Sequence, residues 1–206
     1  PRSAYWLRAQ RLQLSELRSL GGHAPWNEWW VRFRETTPEF FALQPNRTRG
    51  GVEKPPPGAK KHRSNVKMCA SNPDIVPQWL HDVEEELKQN PNKRVFNVSP
   101  LDGWTRGHCI CKECRAWDNP DAPIRSPFIW EGMAQKYVAL SDRDVKFANR
   151  LARAMKERFP DKDLYVYLLA YGHSRPAPIE AVPDDNVIIG NVANFLLRSD
   201  MHDRGS

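Results

Sequence analysis

The sequence has no run of about 18 uncharged apolar residues, so nothing in it is expected to span a bilayer. Pro1, Arg2 and Ser3 do not begin the apolar core of a signal peptide, and no Met stands first. A fragment of a longer, processed protein is therefore expected. There is no collagen-like period, no low-complexity tract and no internal repeat, which leaves a globular chain. Cysteine is scarce, at 4 in 206 residues, too few for a disulfide-dense scaffold.

What is present is a core. Hydrophobic residues make up 40% and aromatics 10% of the chain, in periodic blocks, so one domain spanning residues 1–206 is the expectation. Lys and Arg number 31 against 25 Asp and Glu, a formal charge of +6. That modest excess permits binding to phosphates or acidic sugars without requiring either.

From residue 64 onward strand-like and helix-like runs alternate. Residues 64–69 (SNVKMC) read as a short strand, and Ser71-Asn72-Pro73 as a helix cap with Pro at the first helical position. Val76, Trp79, Leu80, Val83 and Leu87 then recur at steps of three and four, an apolar helical stripe that Asn90-Pro91-Asn92 ends. Residues 94–99 (RVFNVS) make a second strand, and 100–130 a long connection of the kind that is usually functional or disordered. Ser141-Asp142-Arg143-Asp144 matches a capping box, and Val145, Ala148, Leu151, Ala152, Met155 and Phe159 trace a helix up to Pro160. Residues 164–171 (LYVYLLAY) are nearly continuous in apolar side chains, as in a parallel strand covered on both faces, and 186–192 give a fourth strand.

This order predicts an α/β fold: a parallel sheet with outer helices, as in part of a (β/α)8 TIM-type barrel. A complete barrel needs about 250 residues, so an incomplete one is expected, with the rest of the parent barrel or flanking domains as partners. Residues 1–63 read as an aromatic and basic N-terminal part with a flexible loop over 44–61, and 64–206 as β/α repeats.

Cys109, Cys111 and Cys114 fall within six residues, and Cys69 ends the first predicted strand. Thiolates suit tetrahedral zinc, and the last two have the spacing common in structural sites. Four thiolates would leave no open position for a water, so such a metal would be structural. Disulfides in an exported protein, or free packed thiols, are the other readings of the same residues.

Asp102 follows the second strand in Val98-Ser99-Pro100-Leu101-Asp102-Gly103-Trp104, where barrel folds place a catalytic or sugar-binding acid. A turn-forming Asp before Gly is the structural alternative. His23, Trp26, Asn72, Trp104, Tyr171 and Asn191 are candidate substrate-binding groups at strand ends or in loops, beside His173 and Asn194. Glycoside hydrolysis wants a second carboxyl group, for which Glu131, Asp118 and Asp200 are candidates.

The segments 29–43 (WWVRFRETTPEFFAL), 67–74 (KMCASNPD), 97–114 (NVSPLDGWTRGHCICKEC) and 141–149 (SDRDVKFAN), in that order, resemble the bacterial family known as domain of unknown function 4838. The resemblance runs from about residue 22 to 192. It implies a barrel related to α-glucuronidases and β-hexosaminidases, in exported (periplasmic or extracellular) proteins that degrade polysaccharides, with glycosidase-like activity. On that footing the expectation is a glycoside hydrolase acting on uronic-acid or amino-sugar polysaccharide. Asp102 would serve as acid/base or sugar ligand, Trp26 and Trp104 would stack on sugar faces, and Arg8 and His23 would pair with a uronate. No organic cofactor is expected. A non-catalytic carbohydrate-binding barrel is the alternative. A zinc-stabilised nucleic-acid module is weaker, because only one Cys-x-x-Cys pair is present and no nucleic-acid partner is expected.

Overall fold

Two amphipathic helices organise the molecule. In the computed structural model, which describes residues 23–50, 66–101, 107–130 and 133–191 and only the backbone over 125–130 and 133–137, the first of these stripes forms helix α2 (Ile75–Gln89). It follows α1 (Trp26–Phe33), and Asp82 joins the two: it accepts from the Trp29 indole at 2.8 Å and from both Arg32 guanidinium nitrogens at 2.7 and 2.9 Å. Helix α4 (Ser141–Arg158) carries the second stripe, with Leu151 and Met155 fully buried, each worth about 1.5–3 kcal/mol. Between them lie strand β1 (Val95–Asn97), the short helix α3 (Lys112–Arg115) and a hairpin of β2 (Ile124–Trp130) and β3 (Met133–Val138).

Strand β4 (Tyr165–Ala170) is central to a three-stranded parallel sheet of order β1-β4-β5, with β5 spanning Val187–Asn191. Val166, Tyr167 and Leu168 are all buried, and because successive side chains point to opposite faces, both faces of β4 are covered there. Helix α4 packs against β4 and β5. The expected parallel α/β sheet with helices is thus present, as an open sheet among the described residues.

Several local expectations are corrected. Residues 66–69 are not a strand: they run extended beside residues 40–42 with one isolated bridge, Met68 to Phe41, and 64–65 lie outside the described residues. Helix α2 begins after Asp74, which makes no side-chain cap, so Pro73 lies outside it. The connection 100–130 is not structureless, since it holds α3 and β2. Of the expected loop 44–61, residues 44–50 form a tight turn, with Gln44 fully buried, Arg47 at φ 68° and Gly50 at φ 76° against Trp30; the rest lies outside the described residues.

The expected capping box is also not one. Ser141 is already helical, and the N-cap is Leu140, which has no capping side chain. The four polar side chains instead reach four different partners. Ser141 donates to the Pro176 carbonyl at 2.5 Å, the Asp142 carboxylate accepts the N–H groups of Ile179, Glu180 and Ala181, Arg143 pairs with Asp118, and Asp144 accepts from Ser174. A segment that looked like local helix chemistry is tertiary glue.

Candidate functional site

Two backbone loops bring the cysteines together. Residues 66–69 hydrogen-bond to 40–42, with Ala42 N–H donating to Lys67 O at 2.9 Å and Cys69 N–H to Phe40 O at 2.8 Å. A turn closed by Asn72 N–H on Cys69 O at 2.8 Å then points Cys69 at the second loop. That loop is held by Ile110 N–H on Leu43 O at 3.0 Å, and places Cys111 as the N-cap of α3 with Cys114 inside the helix.

All four sulfurs lie within 4.8 Å of one another. Cys69 Sγ stands 3.6 Å from Cys109, 3.7 Å from Cys111 and 3.8 Å from Cys114. None is in a disulfide; Cys69, Cys109 and Cys114 are buried and Cys111 is partly so. Four thiolates at zinc–sulfur distances of 2.3 Å on a regular tetrahedron are separated by about 3.8 Å, so the cluster has the dimensions of such a centre.

Backbone N–H groups are aimed at three of the sulfurs. Leu43 N–H donates to Cys109 Sγ at 3.2 Å, Ser71 N–H to Cys114 Sγ at 3.4 Å and Cys114 N–H to Cys111 Sγ at 3.3 Å, while the Ser71 hydroxyl lies 3.1 Å from Cys114 Sγ. Hydrogen bonds from Cys109 and Cys114 hold the Cys69 thiol well below its ordinary value, whereas those to Cys114 and Cys69 push Cys109 up. The packed sulfurs resist ionising together, a conflict that a cation among them removes.

Arginines of α4 hold both loops. Arg150 donates to the carbonyls of Ala70, Ser71 and Asn72 at 2.7, 3.1 and 2.7 Å and lies over the Trp117 ring. Arg143, seven residues earlier on the same helix face, donates to Cys109 O at 2.8 Å. Both went unrecognised in the sequence, although a spacing of seven between arginines on an otherwise apolar face is a readable signal. Asp118, a candidate second carboxylate, has both oxygens engaged by Arg143.

A cleft lies next to this centre, at the carboxyl ends of β1 and β4. His23, Lys67, Leu101, His108, Tyr171, His173 and Ser174 line a cavity of about 30 Å³. His23 Nδ1 is 2.6 Å from Pro100 O, and the His108 and His173 rings meet edge to face at 5.1 Å. Burial, then the neighbouring Lys67, His173 and Arg143, push His108 well below its ordinary value. Behind the cleft, burial pushes Asp144 up to about 6, although the Ser174 hydroxyl, Arg143 and Lys67 favour its charged form. His108 directly precedes Cys109, so the sulfur cluster and the cleft share one strip of backbone.

Of the candidate residues, His23 and Tyr171 come together in this cleft, with His173. Trp26 does not: it is 1% exposed, edge-on to Trp29 and packed near Phe147, so it belongs to the core and presents no stacking face. Asn72 serves its own turn, donating to Glu39 O and accepting from Asp74 N–H, both at 2.9 Å. Asn191 ends β5 and lines a different, largely apolar groove of about 340 Å³ beside Ile189 and Pro178. Asp102 and Trp104 lie outside the described residues, in the segment whose flanks, Leu101 and His108, both line the cleft. Glu131, Asn194, Asp200 and Arg8 also lie outside them.

No described helix is long and apolar enough to cross a membrane. A family model described as "Domain of unknown function (DUF4838)" matches residues 21–203. No curated protein and no solved structure matches the chain.

Proposed function

The chain belongs to the domain of unknown function 4838 family, and from that premise we propose that it is a carbohydrate-active, glycoside-hydrolase-like protein whose cleft is braced by a structural zinc. The observation that carries this reading is the cleft itself: polar groups gather at the carboxyl ends of parallel strands, and Leu101 and His108, on either side of the segment bearing Asp102, both line it. Catalytic groups of β/α barrels occupy that end. We read the open sheet as part of a (β/α)8-type barrel whose further strands would extend it from β1 or β5, its edges. The substrate is a uronic-acid or amino-sugar polysaccharide, met in an exported setting.

In this reading Asp102 is the acid/base or a sugar-hydroxyl ligand, and Trp104 the stacking face. Cys69, Cys109, Cys111 and Cys114 would hold the zinc, which supplies a rigid cross-link between the two loops. Arg150 and Arg143 fix the carbonyls of those loops, and His108 takes its place in the cleft from its bond to Cys109. The test is release of reducing ends from uronate-containing or amino-sugar oligosaccharides, with Asp102→Asn as the control. Turnover unaffected by that substitution sinks the catalytic assignment.

A second reading, carbohydrate binding without hydrolysis, is favoured by one observation. Asp118, a candidate partner for Asp102, is committed to Arg143. Oligosaccharide affinity with no product after prolonged incubation would select it.

A further inference from the structure

We propose that the cleft at the carboxyl ends of β1 and β4 is an oxyanion subsite, which takes a carboxylate or sulfate group borne on a sugar. The sugar carrier rests on the carbohydrate reading above; the oxyanion preference rests on the cleft alone.

The lining is one-sided in its chemistry. Lys67, His23, His108, His173 and Tyr171 all line the cavity, and among the described residues no Asp or Glu does. Asp144 stands behind Ser174, which donates its hydroxyl proton to it. Asp144 and Lys67 act on each other across this wall, but it is Ser174, not Asp144, that lines the cavity. Lys67 is only 3% exposed, so its charge is poorly hydrated and attracts an anion placed in the cavity. A protonated amino group would meet that charge instead and be repelled.

Size points the same way. A cavity of about 30 Å³ compares with the 10–15 Å³ or so that one water-sized group needs. Two oxygens of a carboxylate fit, and a pyranose ring does not. The ring must remain outside, with its acidic substituent turned inward.

The experiment is calorimetric titration of the intact protein at pH 7 and low salt with glucuronate, glucose 6-sulfate, glucose, glucosamine and inorganic sulfate. Glucuronate or glucose 6-sulfate should bind at least about tenfold more tightly than glucose, and glucosamine most weakly, as expected for one charge-assisted contact. Lys67→Met should erase that preference. Tyr171→Phe and His23→Gln, at half-exposed positions, should each lessen it and serve if the lysine variant does not fold. Glucose or glucosamine binding as well as glucuronate overturns the oxyanion subsite and leaves the carbohydrate reading standing. Inorganic sulfate binding while every sugar is silent supports the subsite and overturns the sugar carrier. Silence of all five probes overturns both.

Discussion

Arg143 and Asp118 form a two-pronged ion pair, Nε to Oδ1 at 2.7 Å and Nη2 to Oδ2 at 2.5 Å, with 3% of the arginine side chain and 12% of the aspartate exposed. The pair fixes the segment after α3 to the first turn of α4, and the third prong of the guanidinium reaches Cys109 O. Removing the carboxylate leaves a buried cation. Asp118→Ala should therefore cost about 3–5 kcal/mol, and the double variant Asp118→Ala/Arg143→Met should recover much of that. Urea denaturation of the three proteins checks this. Equal losses in the single and double variants would contradict it.

Arg150 holds three successive carbonyls of the turn after Cys69. Arg150→Met keeps the apolar stem against Trp117 and loses those bonds, so stability should fall by about 3 kcal/mol. Zinc affinity should drop about 10- to 100-fold, because the turn no longer presents Cys69 and the Ser71 amide in place. Competition against a chromophoric chelator reads the second effect, and unchanged affinity would remove Arg150 from the support of the centre.

The fold was legible where burial follows period. The stripes on α2 and α4 and the apolar run of β4 read directly as two helices and a covered parallel strand, because one side of each element meets the core throughout. The segment 141–144 misled because Ser and Asp cap helices by a local bond, and nothing local records that these side chains have partners 25 to 39 residues away. Trp26 misled for a related reason: an aromatic near a strand end serves a core and a sugar face equally well until its neighbours are known. The four cysteines came together as the metal reading expected, although their spacing alone also allowed disulfides or packed free thiols. The cleft was half legible, through His23 and Tyr171. Lys67 and His108 gave no warning, since a charge or an imidazole in a loop says nothing of its burial.

Asp144 gives a pH test. Its folded-state value of about 6 lies above the ordinary 3.8, so the folded protein holds a proton that the unfolded chain has released between those values. The stability this group contributes is present in full below pH 3.8 and is lost as pH rises through about 6. The shift corresponds to about 3 kcal/mol. Asp144→Asn cannot ionise. Its stability relative to the parent should rise by about that amount between pH 4 and pH 7, measured by denaturant titration at each pH. A constant difference would mean that the carboxyl group is ionised throughout.

The joint between cleft and sulfur cluster predicts that loss of one ligand is felt at the other site. Cys69→Ser removes a sulfur that stands 3.6–3.8 Å from each of the other three and should abolish stoichiometric zinc binding. It should also lower the melting temperature and broaden the imidazole resonance of His108, which is fixed through Cys109. A variant that loses zinc while that resonance stays sharp would show the cleft to be independent of the centre.

The most direct measurement is X-ray absorption at the zinc edge on the purified protein, together with elemental analysis. The account predicts about one zinc per chain with four sulfur neighbours near 2.3 Å. A shell containing nitrogen or oxygen, or a metal-free protein whose cysteines titrate as disulfides, would contradict it.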